Sequence, residues 1–199
     1  MSVGEVIMNV ALWVISITGA ISAAGWVVNH ILLSRRETAN QQRSAYLQYV
    51  ERQLEELYGP LALLVSEGAQ TFRDLLGTLG RPFVFQGNDP LPANELAIWL
   101  FWVENDFLPR SERIKDLLMT KAHLIEGAKL PESYLRFLDH YNSWYINHER
   151  WKKEGVEYSW RSRINYPDEF RRDVVSTLTT LKARHAKLIA AIGNEGQRS

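Results

Sequence analysis

Arg136, Asp139 and His140, in the stretch "RFLDH", are the residues whose types and spacing could carry chemistry in this chain. A guanidinium holds a phosphate or a carboxylate, and an imidazole titrates near neutral pH and so passes protons. The remaining histidines are His30, His123, His148 and His185. No two of the five stand three or four residues apart, the spacing by which one helix offers two ligands to a metal. His140 and His148 lie two turns apart, too far to share one ion. No phosphate-binding glycine loop and no Gly-x-Ser-x-Gly elbow is present. The sequence thus implies no cofactor, no metal and no catalytic residue. Arg136 and His140 remain the candidate pair if the chain is an enzyme after all.

Apolar residues recur by threes and fours, so the elements that position these groups are helices. Leu47, Val50, Leu54, Leu57, Leu61 and Leu64 form such a seam, and Gly59-Pro60 predicts a break or kink within it. The next helix should run to about Thr78, and residues 79–93 read as loop. Asn94 is placed to cap a helix whose segment Ala97–Trp102 is apolar on every side and expected to be deeply buried. Pro109 should restart a helix to about Ile125, and Pro131 should open one to about Glu154. Its expected buried stripe is Tyr134, Leu138, Tyr141, Tyr145 and His148, flanked by Phe137, Trp144 and Trp151, with Arg136 and His140 facing away. Pro167-Asp168-Glu169 suits the start of a last helix, expected to bury Phe170, Val174, Leu178, Leu181, His185, Leu188 and Ile192 and to stop at Gly193. No segment alternates with period two. The predicted class is all-α.

Between Val6 and Leu33 there is no Asp, Glu, Lys or Arg. As a helix these residues would reach about 42 Å, beyond the ~30 Å hydrocarbon slab of a bilayer. The region before the run holds Glu5 and no base, unlike a secretory leader. The expectation is a transmembrane helix over 1–34 and a cytoplasmic helical bundle over 35–199. All 23 Lys and Arg follow the run, Arg35 and Arg36 at once, which places the amino terminus outside and the bulk of the chain in the cytoplasm. Beyond Leu33 bases exceed acids by one, so no global field announces nucleic acid. Asn9, Ser16, Ala23 and His30 recur every seven residues, with Gly19 and Ala20 on the same face. Small and partly polar residues in lipid mark a surface for helix association, or the lining of a narrow pore. From Arg150 to Arg172 seven bases and four acids alternate with Trp151, Tyr158, Trp160, Tyr166 and Phe170, a composition compatible with single-stranded nucleic acid, anionic lipid or a neighbouring subunit.

Three resemblances follow from these residues. The Arg136–His140 pair is similar to the paired Arg and His of HEPN-type ribonucleases, although that motif separates them by four to six residues and "RFLDH" by three. The segments "LEELYGPL", "HLIEG", "FLDHYNSWYINHERW" and "NYPDEF" resemble those of small bacterial proteins with one amino-terminal span and a helical cytoplasmic domain. In size and plan the chain is also similar to the membrane accessory proteins of type VI-B CRISPR systems. That likeness implies a HEPN-like bundle and a homo-oligomeric inner-membrane pore in antiviral defence, with membrane lipid, further copies of the chain, and a cytoplasmic effector protein or RNA as partners. The expected function is therefore a membrane effector that perturbs permeability when signalled. A membrane-tethered ribonuclease and a passive anchor are the alternatives.

Overall fold

A computed structural model describes residues 3–85, 91–156, 158 and 165–196, with the side chains of residues 3, 5–24, 28 and 194–196 outside that description. Every regular element among the described residues is helical, so the all-α class holds. The chain divides into two compact units, Met1–Gln48 and Tyr49–Ser199. Residues 35–46, within the first unit, are exposed along a helix.

The first helix, α1, runs from Val3 to Arg52 and covers the whole charge-free run. Among the described residues no helix is long and apolar enough to cross a membrane. The run itself, with Asn9, Ser16, Gly19, Ala20 and Ala23, lies mostly on side chains outside that description. His30 is described: it is exposed, and its ring stacks on Trp26 one turn earlier, with centroids 5.4 Å apart.

In the second unit the chain meets two internal prolines without breaking. A π-helical turn, Gln53–Tyr58, leads directly into α2, Gly59–Leu79. A second, Val103–Phe107, joins α3, Ala93–Trp102, to α4, Leu108–Thr120. Gly59 N–H donates to Leu54 O and Leu108 N–H to Val103 O, each five residues back. The next residue in both cases is proline, which has no N–H and whose ring collides with the carbonyl four residues back in a regular helix. One widened turn changes the hydrogen-bond register just before the proline, and the helix continues. The break or kink expected at Gly59-Pro60 takes the form of a π turn rather than a break, and the same device stands where a restart was expected at Pro109. It demands glycine at 59, since a Cβ there would lie 2.6 Å from Leu54 O.

The other elements are a 3-10 turn at Ala122–Leu124, α5 at Glu132–Glu154 and α6 at Asp168–Gly196. Helix α4 ends at Thr120, short of the expected Ile125. Left-handed Gly80 and Gly155 terminate α2 and α5. Pro92, not Asn94, caps α3, its carbonyl accepting from Leu96 N–H at 2.8 Å.

Helix α2 packs on α3, α4 and α6, while α5 packs on α4 and α6. Leu57, Leu61 and Leu75 from the α2 side meet a core that includes Phe137, Phe170, Val174 and Leu181, all fully buried. Burying each such side chain contributes about 1.5–3 kcal/mol. Phe170 stacks on Phe137 at 4.5 Å and meets Tyr134 edge-on at 5.1 Å.

Three burial expectations need correction. Within Ala97–Trp102 only Trp99 is buried and Phe101 is 65% exposed, because this short helix is covered on one side alone. On α5 Tyr134, Phe137, Tyr141, Trp144 and His148 are buried as expected, but so is His140, whereas Tyr145 is exposed. Helix α6 runs past Gly193 with Ile192 exposed, its far end extending beyond the core.

Gly59→Ala should cost about 1–3 kcal/mol, because the added methyl strikes a backbone oxygen. Gly77→Ala, in open space inside the same helix, should gain about 0.5–1 kcal/mol. Urea unfolding followed by circular dichroism checks the pair, and equal behaviour of the two variants would contradict the π-turn account.

Candidate functional site

Turns of α2, α4 and α5 face one another across a cavity of about 720 Å³. Val65, Gly68, Ala69 and Phe72 line it from one face of α2 at three- and four-residue spacing. Phe107, Arg110, Ser111 and Ile114 line it from the second π turn and α4, and His140 and Trp144 from α5. Trp99, Phe85, Tyr166, Asp168 and Arg171 complete the walls. Its size falls within the usual range for small-molecule sites, about 300–1,000 Å³.

The rings form a connected set. Trp99 stacks on Trp144 at 5.9 Å and 22°, and Phe85 meets Trp99 edge-on at 5.1 Å. Phe107 lies 5.8 Å from Trp99 and 6.1 Å from Phe72. Outside this set, Trp99 Nε1–H donates to the Tyr158 hydroxyl at 3.2 Å. The Trp144 indole N–H is buried and makes no hydrogen bond of good geometry among the described residues.

Arg110 is the buried charge of the site, its side chain only 9% exposed. A buried guanidinium must be met by opposite charge and acceptors. Its Nη2 pairs with Asp106, one turn earlier in the π turn. Its Nη1 donates to Thr71 Oγ1 at 2.7 Å, and Thr71 in turn donates to Gly68 O at 3.2 Å. Glu67 lies 3.8 Å from Nε. A Cβ at Gly68 would sit 3.1 Å from Nη1, so glycine makes room for the guanidinium beside α2.

The same π turn supplies Glu104 to a second polar cluster. Glu104 lies 3.4 Å from His148 Nε2 and 3.0 Å from Lys152 Nζ. His148 is buried between the rings of Trp151 and Tyr158, and its Nδ1 has no partner among the described residues. Burial pushes the imidazole below its usual range, with Lys152 acting in the same direction and Glu104 opposing.

The candidate pair does not form a common centre. Arg136 is half exposed and paired with Glu169 of α6. His140, expected on the outer face, is buried, its ring 5.7 Å from both Trp144 and Tyr166. Asp139 is exposed. In the stretch from Arg150 to Arg172, Phe170 belongs to the core and Tyr158 is packed against it, so neither is displayed for base stacking. Arg150, Lys152 and Lys153 are each ion-paired with a glutamate. Trp160, Arg161 and Arg163 lie outside the described residues. No group of three or more His, Asp or Glu among the described residues could hold a metal.

Sequence reasoning missed the cavity and Arg110. An arginine within a helix reads as surface, and the only local signal was Gly68 inside an otherwise regular helical pattern. No protein-family profile, curated protein or solved structure matches the chain.

A folded-state pKa below the unfolded value means that the unfolded chain binds the His148 proton first. Stability should therefore fall as pH drops below about 6.5, the ordinary histidine value. His148→Gln should flatten that loss, as measured by unfolding midpoints between pH 7.5 and 5. An equally steep loss in the variant would contradict a buried neutral His148.

Proposed function

We propose that this chain is a single-span, self-associating membrane effector whose helical unit, Tyr49–Ser199, receives the signal and which perturbs membrane permeability in response. The observation that carries the reading is the charge-free run from Val6 to Leu33, lying within one helix and followed at once by Arg35 and Arg36. A stretch of this length and composition inserts as a span, and the bases that follow hold its trailing end on the cytoplasmic side. The antiviral setting is what the resemblance to type VI-B accessory proteins implies. Asn9, Ser16, Gly19, Ala20, Ala23 and His30 are the proposed association or pore face.

The effector reading is favoured over a tethered ribonuclease because Arg136 is engaged with Glu169 while His140 is turned into the bundle.

Full-length protein should remain in the membrane pellet after alkaline carbonate extraction, and release into the supernatant would contradict the span. Gly19→Leu and Ala23→Leu should lower the oligomeric order in detergent, since bulk at a helix contact holds the backbones apart and removes close packing together with interhelical hydrogen bonds worth about 0.6–2 kcal/mol each. Ile17→Leu and Ile21→Leu should leave it unchanged. Light scattering decides, and identical behaviour of the two faces would remove the association surface.

A further inference from the structure

We propose that the cavity between α2, α4 and α5 binds a small, uncharged, planar heteroaromatic molecule. The inference stands apart from the membrane reading, because every residue it uses lies in the unit Tyr49–Ser199.

Three observations select this ligand class. The first is the lining: Phe72, Trp99, Phe107 and Trp144 present ring faces and edges at varied angles within one connected set. A flat ligand extends such a set by stacking and edge contacts, which contribute beyond simple area burial. A saturated chain gains no such contacts.

The second is charge. The Arg110 guanidinium pairs with Asp106, Glu67 near it is 61% exposed, and Asp168 and Arg171 both line the cavity. Among the described residues the lining gathers neither a cluster of bases to hold a polyphosphate nor a cluster of acids to hold a cation.

The third is hydrogen-bonding capacity. A guanidinium has five N–H groups, and Thr71, Asp106 and Glu67 engage no more than three. Among the described residues at least two of these donors have no acceptor, which leaves them for a ring nitrogen or carbonyl oxygen of a ligand. Ser111, the next residue of α4, also lines the cavity and adds a hydroxyl. Donors converging on a ring-lined space suit an uncharged heterocycle that carries acceptors on its edge.

The small residues Gly68 and Ala69 keep the space open on the α2 side, which gives the test. Full-length protein in lipid nanodiscs is screened by saturation-transfer NMR against a fragment set of four equal classes: uncharged heteroaromatics, aromatic acids, aromatic amines and aliphatic acids. Empty nanodiscs report partitioning into lipid. Ala69→Phe and, independently, Ser111→Phe each place a ring in the cavity, and circular dichroism identifies any variant that fails to fold. The expected result is saturable binding concentrated in the uncharged heteroaromatic class, weakened roughly tenfold or more by either filling variant. Arg110→Lys, which keeps the charge but loses the planar fork, should weaken the acceptor-bearing members of that class most. Binding concentrated in a charged or aliphatic class would overturn the proposal. So would an absence of hits above the empty-nanodisc background, or hits indifferent to both folded filling variants.

Discussion

Placing a guanidinium among aromatic rings is the constraint on which the rest of the bundle depends. Arg110 is buried, and an unmet charge there would cost more than the surrounding rings return. Its partners come from two elements fixed separately: Thr71 and Glu67 from α2, and Asp106 from the π turn before α4. Satisfying all three ties α2 to α4 at a set distance. Gly68 permits the close approach, and the cavity occupies the space between.

Both π turns serve this arrangement. Each precedes a proline that would otherwise interrupt a helix, and each widened turn carries polar residues that reach across the bundle. From the first, Gln53 is fully buried and donates to Leu124 O at 2.9 Å and to Glu126 at 3.1 Å. Arg184 of α6 bonds the other Glu126 oxygen at 2.8 Å, and the Tyr58 hydroxyl accepts from Glu126 N–H at 2.9 Å. The turn after α4 is thereby held to the first π turn and to α6. From the second, Glu104 reaches His148 and Asp106 reaches Arg110. Two sequence interruptions thus become two of the polar anchor points of the interior.

The sequence revealed those parts of the fold that depend on burial periodicity along one helix. Val50, Leu57, Leu61 and Leu64 lie buried as their spacing predicts, and so do Phe170, Val174 and Leu181. The π turns were invisible because a five-residue hydrogen bond leaves no mark in composition. Instead, Gly59-Pro60 carried the ordinary signature of a break. The segment Ala97–Trp102 misled for a different reason: an apolar helix is buried all round only if neighbours surround it, and α3 has them on one side. His140 was misplaced by about one position around α5, enough to move it from solvent to the cavity wall. The cavity itself was out of reach, since it depends on which faces of three helices meet.

The central claim is that Arg110 and Asp106 act as one unit holding this interior together. A double-mutant cycle with Arg110→Met and Asp106→Asn, read by equilibrium unfolding, tests it most directly. Removing either partner alone should be strongly destabilising because it strands the other. The double variant should recover part of that loss, giving a coupling energy of about 2 kcal/mol. Purely additive effects of the two substitutions would contradict the account.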